Sequence, residues 1–149
     1  IAENGVAIDA IISDFISGAV EWLSPDNEED HWDIIEGQGS LFHPSFAGVS
    51  LGLLHGSQPD KFIVCHEPTR SNMRGVKNKL PSISEVISKT IELGKLTNPD
   101  IKCAGIALNT SNMLNKSEDM KKMISDKHSI PCLDPLKDDL SDFINMINK

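Results

Sequence analysis

Two short apolar runs with one well-marked helix between them constrain this chain more than any other feature. The runs are Lys61 to His66 and Ile101 to Leu108. The helix is Ser82 to Leu96, where Ser82 as N-cap and Glu85 at N3 form a capping box. Ile83, Val86, Ile87, Ile91 and Leu93 supply its apolar positions. No Asn-Gly type of hairpin signal joins the two runs, so the connection is a crossover and the strands run parallel. Further short apolar runs are read as strands at Trp32 to Glu36 and Ile130 to Leu133. Helices are read at Val6 to Leu23, from Phe46 to Gly56, at Ser117 to Lys127 and at Leu136 to Ile147. Alternation of this kind predicts an α/β fold, a mostly parallel sheet covered on both faces in three layers.

Within these elements, Ile8, Ile11, Ile12, Phe15, Ala19, Trp22 and Leu23 are expected on the buried face of the first helix, and Gly18 is expected at a close packing contact. Met120, Met123 and Ile124 are expected to face inward. A chain of 149 residues is read as one domain with a real core. Its 14 basic and 22 acidic residues give a net charge of −8, which argues against nucleic acid or an anionic membrane as a partner. No apolar run approaches the roughly 20 residues that span a bilayer. Cys65, Cys103 and Cys132 are odd in number and widely spaced, so they read as reduced, buried thiols of a cytoplasmic protein.

Ligands of open α/β sheets sit beyond the carboxyl ends of the strands. Glu36 ends the first apolar run, and Gly37 and Gly39 after it let backbone approach a ligand closely; a solvated Glu36 in a glycine turn is the alternative. His43 and His66 lie just past strand ends and suit polar or acid–base roles. Glu67 to Pro81 carries Arg70, Arg74, Lys77 and Lys79, a set that binds a phosphate or carboxylate or is simply solvated. Asn109 closes the third run, where its amide reads a ligand edge or caps the loop. No histidine pair has zinc-helix spacing.

Residues 5–19, Glu-Gly-Gln-Gly-Ser-Leu-Phe-His-Pro at 36–44, residues 51–60 and Gly-Ile-Ala-Leu-Asn-Thr at 105–110 resemble a bacterial and archaeal family catalogued as a domain of unknown function. Some members are assigned as D-glutamate N-acetyltransferases and others are labelled ATP-binding. The carboxy-terminal domain of the family is similar to P-loop enzymes such as dethiobiotin synthetase. The resemblance implies a P-loop NTPase type of sheet, Glu36 as the Mg²⁺-side acid and Asn109 in the place of an adenine-reading amide. Gly37 and Gly39 would then approach the cofactor, and Arg70, Arg74 and His66 the substrate, a small acidic amino acid. His43 would take a proton from its amine. The cofactor implied is Mg and ATP, or acetyl-CoA; a strand edge left open by a missing phosphate-loop strand would favour a homo-oligomer.

The chain contains no Gly-x-x-x-x-Gly-Lys-[Ser/Thr] loop; Gly94-Lys95 is followed by Leu96. By the same resemblance it is expected to be the carboxy-terminal part of a family member, incomplete at its start and inactive alone. Two other readings stand beside an acetyltransferase: an ATP- and Mg-dependent ligase or kinase-like enzyme, and a nucleotide-binding module without turnover.

Overall fold

The computed structural model describes residues 5–28, 30–38, 40–113 and 117–148. These divide into two compact units, residues 1–60 with 92–101 and residues 61–91 with 102–149.

The second unit holds the sheet. Strand β1 (Lys61–His66), β2 (Lys102–Leu108) and β3 (Cys132–Leu133) lie side by side in that order, and both pairings are parallel. Helices α3 (Ile83–Gly94) and α4 (Ser117–His128) make the crossovers, so this is the α/β fold with a parallel sheet that the alternation predicts. The capping box forms as read: the Ser82 amide donates to Glu85 Oε2 at 2.8 Å and the Glu85 amide donates to Ser82 Oγ at 3.2 Å. Acids open α4 and Lys127 and His128 close it, in keeping with the helix dipole. The core gathers Val64, Ile83, Ile106, Leu108 and Ile124. Register slips between Phe62 and Ile63, giving β2 one extra residue opposite β1. On β2, Gly105 leaves room for the Phe143 ring of α5 (Ser141–Ile147); a Cβ there would lie 2.7 Å from that ring.

The first unit packs α1 (Ile16–Leu23) against α2 (Ala47–Ser57). Gly52 and Gly56, one turn apart on α2, form the contact surface, and a Cβ on Gly56 would lie 2.7 Å from Val20 Cβ. Helix α2 ends on Gln58 in the left-handed region (φ 45°), and the Gln58 carbonyl accepts from Asn98 Nδ2 at 3.0 Å.

Several expectations are corrected. Residues 31–38 form no strand, and Ile34 is 91% exposed, because among the described residues no neighbouring strand supplies the hydrogen bonds that hold one. The first helix is shorter than Val6–Leu23: two 3-10 turns precede it, broken where the β-branched pair Ile11 and Ile12 goes extended. Ile12, Phe15, Trp22 and Leu23 are exposed rather than buried. Gly18 has nothing within 4 Å of where its Cβ would be, so it makes no close contact. Met123 is exposed, and Lys121 is the residue of α4 that goes inside beside Ile124. The last helix starts at Ser141 instead of Leu136. No disulfide joins the three thiols, but Cys65 is exposed and the other two are half-buried.

Candidate functional site

Strand ends in the second unit define a cleft of about 290 Å³. Its floor and walls come from Cys65 and His66 of β1, Ala107 and Leu108 of β2, and Pro135 and Leu136 beyond β3. Glu67, Arg70, Asn109 and Asp134 supply the polar lining. All of the polar groups lie at or just past the carboxyl ends of parallel strands, where the ligand crevice of such a sheet is found.

His66 ends β1 half-buried. Burial pushes its pKa down from the ordinary value, and neighbouring Glu67 only partly offsets this, so the ring is neutral near pH 7. Glu67 is the hub of the rim. It accepts from Asn112 Nδ2 at 3.0 Å, Thr69 Oγ1 at 3.2 Å and the Arg70 guanidinium. The Asn112 bond first, with Thr69 and Arg70 behind it, holds the Glu67 carboxyl below the usual range against the cost of desolvation. Arg70 spends one nitrogen on this pair and has five N–H donors in all, so it retains capacity for an anion. The loop that carries it is ordered by an antiparallel bridge between Asn72 and Lys79, with Met73 buried beneath. Arg74, Lys77 and Lys79 are exposed on the same loop.

Asn109 takes the capping role, one of the two that the sequence left open to it. Its Oδ1 accepts from the Ser111 amide at 3.0 Å and so caps the loop, while its exposed side chain lines the cleft. Its backbone amide donates to the His66 carbonyl at 2.9 Å, tying the end of β2 to the end of β1.

Below the rim lies a buried polar network. Asp134 is 1% exposed and accepts from Thr110 Oγ1 at 2.5 Å, the Thr110 amide at 3.2 Å and the Leu136 amide at 3.0 Å. Lys137 Nζ donates to Thr110 Oγ1 at 2.6 Å. Asp138 receives Lys121 Nζ at 2.6 and 2.7 Å and the Asp134 amide at 2.7 Å. The Thr110 hydroxyl leads in holding the Asp134 carboxyl below the usual range, and Lys121 does the same for Asp138. Desolvation works against the Lys121 ammonium, yet Asp138 and Glu118 outweigh it and raise its pKa.

The remaining sequence candidates lie in the first unit. Glu36 lines a separate cavity of about 390 Å³ with Asp33, Gln38 and the apolar Val20, Leu23, Ile34 and Leu53. It does not stand at the end of a paired strand, and Gly37 beside it is exposed. Gly39 lies outside the described residues. His43 is buried; its Nδ1 accepts from the Ser45 amide at 3.1 Å and its ring lies 4.6 Å from that of Phe46. That lone pair orders the turn ahead of α2. Among the described residues no three His, Cys, Asp or Glu side chains gather as a metal site, and no helix is long and apolar enough to cross a membrane.

A family model described as "Domain of unknown function (DUF1611_C) P-loop domain" matches residues 1–144. The chain belongs to this DUF1611 family. A D-glutamate N-acetyltransferase of a Pseudoalteromonas species is 53% identical over 146 residues, which cover 97% of this chain and 44% of that protein. A second protein of the same name from Tritonibacter scottomollicae is 45% identical over 140 residues, covering 92% and 42%. The chain thus spans less than half the length of these relatives. The crystal structure of a DUF1611 family protein from Anabaena variabilis superposes with a TM-score of 0.79 at 29% identity, over 95% of this chain and 43% of that one.

In this DUF1611 domain, Glu67 and Asp134 line the cleft although sequence reasoning passed over both. The signal was present: each acid directly follows an apolar strand run, the same rule that drew attention to Glu36.

Proposed function

We propose that the protein acetylates the amine of D-glutamate, with the cleft at the ends of β1, β2 and β3 as its substrate site. The observation that carries the reading is that one cleft pairs a neutral histidine with an arginine, in a chain 53% identical to a D-glutamate N-acetyltransferase. The substrate offers an ammonium and two carboxylates, and these are the groups the lining suits. Arg70 takes a carboxylate through its remaining N–H donors. His66, neutral near pH 7, accepts the proton that the ammonium must lose before its nitrogen can attack. The exposed amide of Asn109 orients the substrate from the end of the neighbouring strand.

Acetyl-CoA, when bound, supplies a thioester carbonyl as the electrophile. The residues present fit such a donor: Arg74, Lys77 and Lys79 on one loop suit phosphates, and Cys65, Ala107 and Leu136 give an apolar wall for an extended arm. The amine nitrogen bonds to the carbonyl carbon, the carbon–sulfur bond breaks, the thiol leaves, and His66 passes its proton to solvent. In this reading the base is His66 and not His43, whose Nδ1 is committed to its own turn. The same reading keeps a homo-oligomer as the assembly, which sedimentation checks.

The experiment is acetyl transfer from acetyl-CoA to D-glutamate, followed as thiol release and as N-acetylglutamate by mass spectrometry. Transfer is expected, with His66→Gln about a hundredfold slower, as for loss of a general base. A protein that binds D-glutamate without consuming acetyl-CoA, or a His66→Gln variant at full rate, overturns the reading.

A further inference from the structure

We propose that Asp134 is the positioning residue of this cleft, its carboxylate fixing the Asn109–Thr110 corner of β2 to the loop beyond β3 and, through the Asn109 amide, to the end of β1. The proposal rests on the acetyl-transfer reading for its activity readout.

Two walls of the cleft meet on this one side chain, and the third is reached through the neighbour of Thr110. Oδ2 of Asp134 takes both the amide and the hydroxyl of Thr110, and Oδ1 takes the amide of Leu136. The Thr110 hydroxyl donates to Asp134 and accepts from Lys137 Nζ, so its rotor has one setting. Thr110 is 0% exposed and adjoins Asn109, whose amide reaches the His66 carbonyl on β1. The order of these bonds runs from β3 through β2 to the residue proposed to move the proton.

The chemistry of burial supports a role beyond packing. A carboxylate sealed from water is costly unless every lone pair is used, and an apolar side chain fills such a place without that penalty. Here the acid is kept, accepts three hydrogen bonds, and takes them from segments at the end of β2 and beyond β3. Small displacements of such segments cost rate out of proportion to their size.

Three variants test it in the protein: Asp134→Asn, Thr110→Val and Thr110→Ser. With D-glutamate and acetyl-CoA, the first two are expected to raise KM for D-glutamate and lower kcat/KM about tenfold or more. Thr110→Ser keeps the hydroxyl and is expected to retain wild-type KM. The double variant Asp134→Asn/Thr110→Val is expected to be no worse than the poorer single, because both cut the same link. Amide exchange at Asn109, read by NMR without any ligand, is expected to quicken in the first two and not in Thr110→Ser. A wild-type protein that acetylates nothing refutes the functional reading alone, and the exchange measurement still decides Asp134. Unaltered Asn109 exchange, or a fall in kcat with KM unmoved and in proportion to lost folded protein, overturns the proposal.

Discussion

Gly56→Ala and Gly18→Ala are the same chemical change on two helices that touch, and they are expected to move stability in opposite directions. At Gly56 the new methyl group would meet the Ser17 carbonyl, lie 2.7 Å from Val20 Cβ and lie 3.1 Å from the Glu21 amide. Two of those neighbours are backbone and cannot swing aside, so α1 and α2 must move apart. Overpacking of this kind costs about 1–3 kcal/mol, and better helix propensity returns only about 0.5–1 kcal/mol. The net loss is therefore up to about 2.5 kcal/mol, and two fixed backbone neighbours place it toward the upper part of that range. At Gly18 nothing lies within 4 Å, and only the propensity gain of about 0.5–1 kcal/mol remains. Urea unfolding followed by helical circular dichroism reads both. With a slope of about 1–3 kcal/mol per molar, Gly56→Ala should lower the midpoint by roughly 1 M while Gly18→Ala raises it slightly. Loss of stability at Gly18, or none at Gly56, would refute the reasoning that α1 and α2 meet at Gly56 and that Gly18 is open.

Asp138→Asn strips Lys121 of its better-buried partner, and with exposed Glu118 still at 2.7 Å the cost should fall near or below the about 3–5 kcal/mol of breaking a buried pair; adding Lys121→Met should recover most of it in the same unfolding assay. Because the Asp134 and Asp138 carboxyls sit below their ordinary values, the stability they confer is present above about pH 4 and is lost as pH falls through their lowered folded-state values; acid titration of the wild type against Asp138→Asn checks the sign. In the native protein at pH 8, Cys65 should react first with a thiol reagent, since it is exposed, whereas burial pushes the Cys132 thiol up to about 11; equal rates at the two sites would contradict this. If His66 is the base, kcat/KM should rise as it deprotonates with a midpoint below 6.5 and stay level above it, and the acid limb should vanish in His66→Gln.

Much of the second unit was legible in the linear chain. Val64, Ile106 and Leu108 belong to short apolar runs, and Ser82 with Glu85 marks a helix start through bonds made within four residues. Local signals of that kind survive any tertiary context, so the crossover and its parallel strands followed. His66, Arg70 and Asn109 were also within reach, since the ends of parallel strands point to one rim and all three lie there.

Other features were decided only by folding. The run Trp32 to Ile35 carries the composition of a buried strand, but a strand exists only where a neighbour completes its hydrogen bonds, and among the described residues no strand pairs with 31–38. Glycine spacing on α2 could not say which glycine is a contact, because that depends on where α1 lies: Gly56 meets it and Gly48 meets nothing. The buried linkage of Thr110, Asp134 and Lys137 joins residues up to 27 positions apart. Sequence alone shows each of these as an ordinary polar residue beside a strand or turn. Periodicity and capping are written into neighbouring residues, whereas burial of a charge is set by what distant segments bring to it, and that is why the floor of the cleft had to be seen in three dimensions.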